Sequence, residues 1–126
     1  MGSLSGRRIL VIEDETLINM LLVDVLEDAG AVVLGPATTL QRALAMAGAE
    51  HMDAAIVDVN LGGEKSWPVA TLLASRDVPY VFTTAYARHS EPALQQAPFL
   101  AKPYGVRDLL AAVEALVATP DADPRA

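Results

Sequence analysis

Residues 52–63 read MDAAIVDVNLGG. Residues 54–57 form an apolar run without polar alternation, the pattern of a strand covered on both faces of a sheet. The run ends abruptly in a carboxylate, Asp58, and the chain then turns through Asn60, Gly62 and Gly63. A strand built for burial that ends in an acid sets the acid at the sheet's edge, where open α/β sheets bind ligands.

Four further runs resemble this one: ILVI at 9–12, AVVL at 31–34, VPYVF at 78–82 and a weaker FLA at 99–101. Segments with helical spacing separate them. Ile18, Leu21, Leu22, Val25 and Ala29 mark one face of a first helix, with Gly30 suited to its C-cap. Thr38 and Gln41 resemble a capping box ahead of Leu40, Ala43, Leu44 and Ala47. Ser66 and Pro68 suit the start of a third helix carrying Val69, Leu72 and Leu73. A brief fourth helix is expected between Tyr86 and Pro98, because Pro92 interrupts that segment, and Leu109, Leu110, Val113, Leu116 and Val117 mark a last one. Strict alternation of five strands with about five helices predicts an α/β fold with a doubly wound parallel sheet. Residues 7–118 would form one domain, with 1–6 and 119–126 as flexible termini.

Bulk properties exclude several function classes. With 52% hydrophobic and 20% charged residues the chain is globular and far from disordered compositions. It has no cysteine, so disulfides, thiolate chemistry and zinc–sulfur sites are out, which fits a reducing cytoplasm. No apolar stretch approaches the ~20 residues that span a bilayer. A net charge of −7 argues against nucleic-acid binding through a basic surface.

The strand ends carry the chemistry. They are Glu13-Asp14-Glu15, Gly35-Pro36, Asp58, Thr83-Thr84 and Lys102-Pro103. With strand order 2-1-3-4-5, the flavodoxin-like order, Glu13, Asp14 and Asp58 meet, and Thr84 and Lys102 flank them. Three adjacent carboxylates repel, so either a cation binds or one acid keeps its proton. An all-oxygen donor set suits a hard divalent ion, and Mg²⁺ best, because it keeps waters and leaves positions for a phosphoryl oxygen. A metal on one side and an ammonium on the other can hold a phosphoryl group beside Asp58, a carboxylate nucleophile that needs no general base.

At these residues the sequence resembles the receiver domain of two-component response regulators. The matching pieces are ILVIEDE, IVDVNL, VFTTA and AKPY, each at a strand end. The resemblance implies that Asp58 accepts a phosphoryl group from a histidine kinase or histidine phosphotransfer protein. It implies that Asp14, Asp58 and the Asn60 carbonyl bind Mg²⁺ directly and Glu13 through water. Thr84 and Lys102 would contact the phosphoryl group, and Thr84 and Phe99 would form the switch. The Lys102–Pro103 bond would be cis. Gly62 departs from the proline many receivers carry there, and the intervals from Asp58 to Thr84 and from Thr84 to Lys102 are short for the family. The wording DVNLGGE and VFTTAY resembles stand-alone receivers that are paired with kinases of the HWE or related class.

The resemblance thus implies a signalling phosphoacceptor, not an enzyme, that assists its own phosphorylation and dephosphorylation and whose output is binding to a downstream protein. It would need neither nucleic acid nor membrane. A degenerate receiver that only binds proteins is the alternative, disfavoured because acids, hydroxyl and lysine are all present. An aspartyl phosphatase would want a second acid two residues after the nucleophile, where Asn60 stands. A flavin binder would want a Ser/Thr/Gly-rich turn where Glu13-Asp14-Glu15 lie. His51 and His89 show no ligand spacing, and Trp67 suits packing or a partner contact.

Overall fold

The computed structural model describes residues 2–85 and 98–118. Five parallel strands form the main sheet: β1 (Arg8–Ile12), β2 (Val32–Ala37), β3 (Ala54–Asp58), β6 (Tyr80–Thr84) and β7 (Phe99–Ala101). Their order is β2-β1-β3-β6-β7, the flavodoxin-like order expected from the sequence. A small antiparallel pair, β4 (Asn60–Leu61) and β5 (Glu64–Lys65), follows β3. Helices α1 (Thr16–Asp28), α2 (Leu40–Ala49), α3 (Trp67–Ser75) and α4 (Val106–Ala118) complete the described elements. The expected fourth helix, with Pro92 and His89, lies outside the described residues.

Strand side chains alternate between faces, and both faces are apolar. Ile9, Val11, Ala54, Ile56 and Val81 pack with Leu22 and Leu26 of α1 and Leu109 and Val113 of α4. Leu10, Ile12, Ala55, Val57 and Phe82 pack with Ala43 and Ala47 of α2 and Val69 and Leu73 of α3. Each fully buried leucine or isoleucine contributes ~1.5–3 kcal/mol. The sheet is therefore a rigid layer from which the strand ends project.

Several details differ from the sequence expectation. Strand β2 does not stop at residue 34 but runs through a cis Gly35–Pro36 bond to Ala37. It lies at the sheet edge, where a proline's missing N–H costs no ladder bond. Gly35, at φ +91, lies so close to the Val11 carbonyl that a Cβ would sit 2.9 Å from its oxygen. Strand β6 starts at Tyr80 rather than Val78, because the Val78 amide closes the end of α3 on the Leu73 carbonyl. On α1, Leu21 is exposed while Asn19, Leu22 and Leu26 are buried, a face rotated from the expected one. Thr39, not Thr38, caps α2, accepting from the Arg42 amide at 3.1 Å.

Within residues 2–6, expected as part of a flexible terminus, one side chain packs into the core. Leu4 is fully buried among Ile9, Leu26 and Ala29, and its amide donates to the Ala29 carbonyl at 2.9 Å. The apolar end of α1 needs a cover, and this segment supplies it. Residues 119–126 lie outside the described residues.

Candidate functional site

Neighbouring parallel strands bring distant carboxylates together. Strand β1 pairs with β3 along Ile12↔Val57, so Glu13 and Asp14, just past β1, reach Asp58 at the end of β3. One carboxylate oxygen from each of Glu13, Asp14 and Asp58 lies within 4.8 Å of the others. Thr84 ends β6 and Lys102 follows β7, joined by a bond from the Lys102 amide to the Thr84 carbonyl at 2.7 Å. Asp14, Asp58, Asn60, Thr84 and Lys102 line a polar cleft of about 280 Å³, with Glu15 at its rim. The Lys102–Pro103 bond is cis.

The Lys102 ammonium lies between the acids. Its Nζ donates to Glu13 Oε1 at 3.0 Å and Asp58 Oδ2 at 3.2 Å, and lies 3.6 Å from Glu15 Oε1. Glu13 is 1% exposed, beneath the lysine. Its other oxygen accepts from the Glu15 amide at 3.0 Å, and the Asn19 side-chain amide donates to its backbone carbonyl at 2.8 Å. Asp58 Oδ1 accepts from the Asn60 amide at 3.2 Å, and Asp14 Oδ2 from the Gly62 amide at 2.8 Å.

Burial pushes the Glu13 carboxyl up to about 7, with the Asp58 charge adding to it and the Lys102 hydrogen bond opposing it. Burial alone would lower the Lys102 ammonium, but the bond to Glu13 and the charges of Asp58 and Glu13 together raise it above its ordinary value. Glu13, Asp14, Glu15 and Asp58 against one ammonium leave the cleft net negative, a charge that a divalent cation offsets. The donor set is oxygen throughout and open to solvent on the cleft side. It fits a hard divalent ion such as Mg²⁺, with room for water.

Of the residues predicted from sequence, Glu13, Asp14, Asp58, Asn60, Thr84 and Lys102 meet here. Phe99 does not line the cleft; it is half-buried, faces Phe82 across β6–β7 and packs on the α2/α3-side core. Trp67 stacks edge-on against Phe82 at 5.3 Å as a packing residue, and His51 is exposed.

Three contributors were not read from the sequence. Gly62 gives its amide to Asp14. Ser66 stands at the N-cap of α3 without capping it; its hydroxyl donates instead to the Asp58 carbonyl at 2.6 Å. The Tyr104 hydroxyl is buried without a hydrogen-bond partner among the described residues, and burial, then the negative charge of Glu13, pushes it up to about 12. Only the glycine pair was a visible signal, since Gly-Gly favours a two-residue hairpin turn.

A family model of the response regulator receiver domain matches residues 9–114. The transcriptional regulatory protein PdtaR of Mycobacterium tuberculosis is 33% identical over 116 residues, covering 88% of this chain and 57% of that protein. The chain thus spans little more than half the length of this curated relative. The solution structure of SdrG from Sphingomonas melonis Fr1 is 43% identical, with a TM-score of 0.77 over 93% of this chain and 99% of that one. A CheY-like receiver domain protein from Methanospirillum hungatei JF-1 is 25% identical, with a TM-score of 0.80 over 90% of this chain and 94% of that one.

Proposed function

The chain belongs to the response regulator receiver family, and on that premise we propose that Asp58 is its phosphoacceptor, in a Mg²⁺-dependent exchange with a phosphorylated histidine. The observation that carries this reading is the Lys102 ammonium bridging Glu13 and Asp58 beside Asp14. A nucleophile, a counter-charge and a net negative charge lie in one cleft.

Asp14, Asp58 and the Asn60 carbonyl would hold Mg²⁺, with Glu13 behind a water. Bound there, Mg²⁺ neutralises charge on the phosphoryl oxygens. In the transfer, an Asp58 carboxylate oxygen forms the new P–O bond as the P–N bond to the donor imidazole breaks. The electron pair leaves with the imidazole nitrogen, which takes up a proton. Lys102 moves its hydrogen bond from Asp58 Oδ2 to a phosphoryl oxygen, and the Thr84 hydroxyl donates to another. Phosphoryl transfer depends mainly on such positioning and charge neutralisation. Hydrolysis then reuses the site, with water as the acceptor. The chain is in this reading a phosphoacceptor that assists its own turnover rather than an enzyme acting on a separate substrate. Thr84 follows the phosphoryl group inward, and Phe99 is the aromatic that moves with it.

The partner reading rests on the surface beside the cleft. Leu17, Met20 and Leu21 of α1 are 80%, 59% and 46% exposed, an apolar ridge at helical spacing next to Glu15. An apolar hollow lined by Ile18, Leu21, Pro103 and Tyr104 continues it. A histidine kinase, of the HWE type or a related class, or a histidine phosphotransfer protein would cover this ridge while presenting its phosphohistidine to Asp58. Among the described residues no helix is long and apolar enough to cross a membrane, and we place the protein in the cytoplasm, where such donors present their phosphohistidine. Output is through binding to a downstream protein. The acids, the hydroxyl and the lysine, all present at one cleft, favour a working rather than a degenerate acceptor.

Incubation with acetyl phosphate and Mg²⁺, followed by intact mass, tests the site. One phosphoryl group should be added to the wild type and none to Asp58→Asn or to a sample freed of Mg²⁺. Labelling that persists in Asp58→Asn would remove the assignment.

A further inference from the structure

The segment after Asp58 is more ordered than a turn. Asn60 pairs with Lys65 and Leu61 with Glu64 in an antiparallel hairpin, closed by Gly62 and Gly63 at φ +57 and +92. Both turn residues are left-handed, which suits the two-residue turn of a tight hairpin and strongly favours glycine. Leu61, 2% exposed, anchors the hairpin in the core.

Each end of this hairpin is tied to a different acid. At the tip, the Gly62 amide donates to Asp14 Oδ2 at 2.8 Å, across 48 positions of sequence. At the base is Ser66, fully buried. A serine before a helix ordinarily accepts from an amide of the first turn. Ser66 makes no such bond; its hydroxyl donates to the Asp58 carbonyl at 2.6 Å and its amide to the Val59 carbonyl at 2.9 Å. Between the two ties lies Asn60, whose amide donates to Asp58 Oδ1 at 3.2 Å. The two acids and the carbonyl assigned to the metal are thus all referred to one six-residue element.

We propose that the hairpin over residues 60–65, together with Ser66, is a clasp that presets the separation of the Asp14 and Asp58 carboxylates for a divalent cation, with Ser66 and the Gly62 amide as positioning residues. The proposal rests on the metal-site reading above. Groups that orient metal ligands from behind govern affinity by fixing each ligand before the ion arrives; here the Gly62 and Asn60 amides hold the Asp14 and Asp58 carboxylates, and Ser66 holds the main chain that carries Asp58. The hydrogen bond to Asp14 occupies one lone pair of one oxygen and leaves the carboxylate's remaining lone pairs for a cation. A proline at position 62 would have no amide hydrogen to give and could not adopt φ +57.

The test is a Mg²⁺ titration of the intact chain, followed by amide NMR shifts. Ser66→Ala should weaken Mg²⁺ binding by about 10- to 100-fold, and Ser66→Thr, which keeps the hydroxyl, should recover most of it. Gly62→Pro should weaken binding to a similar degree. Gly62→Asn keeps the amide, tolerates the left-handed φ better than other side chains, and its Cβ meets nothing within 4 Å, so it should stay within a few-fold of wild type. The Gly62 amide proton should resonate downfield in the wild type and move upfield in Asp14→Ala, a signature that a merely structural glycine would not show. If Ser66→Ala fails to fold, the Gly62 pair and the amide shift decide. Unchanged affinity in folded Ser66→Ala and Gly62→Pro, with wild type binding Mg²⁺ and accepting a phosphoryl group, overturns the clasp alone. A wild type without Mg²⁺ affinity overturns the site reading and the clasp with it.

Discussion

The Lys102 amide donates to the Thr84 carbonyl at 2.7 Å. The two residues assigned to the phosphoryl group in the proposed reaction are thus joined through their main chains at the ends of β6 and β7, while their side chains differ in charge. Lys102→Ala removes the counter-charge, and the rate of labelling by acetyl phosphate should fall by ~10²–10³-fold, as when a charge-stabilising donor is removed from other sites. Thr84→Ala should cost less, about tenfold, because a neutral hydroxyl stabilises less than an ammonium. Equal, small effects from both would contradict the division of roles.

Glu13 would make the proposed metal site sensitive to pH. Its carboxyl lies at about 7 instead of 4.5, chiefly through burial. A raised carboxyl favours the protonated folded state, so its contribution to stability is complete below about 4.5 and is lost as pH rises through about 7. A divalent cation favours the carboxylate. Its binding should expel a proton near neutral pH, and apparent Mg²⁺ affinity should climb as pH rises through about 7, then level off. Calorimetric titration in two buffers of different ionisation enthalpy reads the proton directly. An affinity that is flat through this window contradicts the placement of Glu13 behind the metal.

The α1 ridge separates docking from chemistry. Met20→Glu and Leu17→Glu alter exposed positions, so stability should change by no more than ~0.5 kcal/mol. Transfer from the cognate phosphohistidine protein should drop about tenfold or more, as for a truncated interface anchor. Labelling by acetyl phosphate, which needs no docking, should stay as it is. Loss of both activities together would show that the ridge is not a separate docking surface.

Leu4 tests the N-terminal segment. Being fully buried, it should cost ~2–5 kcal/mol when replaced by alanine, in the range of other core truncations. Urea unfolding gives the value. A cost near zero would restore the picture of a flexible start.

The gathering of the candidate site residues was legible in the sequence because parallel strands expose their C-terminal ends on one side of the sheet. Once the apolar runs are aligned, Glu13, Asp14, Asp58, Thr84 and Lys102 have to gather, and the observed strand order bears this out. The missed details have local causes. Gly35-Pro36 looks like a stop, yet an edge strand carries it without losing a ladder bond. A helical face is broad, so Leu21 and Leu26 were interchangeable by spacing, and only packing on the sheet buries Leu26. Strands of two residues are too short to show alternation, so β4 and β5 left no pattern beyond their glycines. Ser66 has the sequence position of a cap, and nothing in the sequence says that its hydroxyl turns back to Asp58.

Strand β3 is buried at all five positions and bonded to a neighbour on each side. It works as an anvil: Asp58 is mounted on the part of the molecule least able to yield. Bulk or charge added at its tip is not absorbed by the strand beneath it. The displacement must instead pass to what surrounds the tip, Thr84, the Gly62 turn and the start of α1, so a change of four atoms is felt at the surface rather than in the interior.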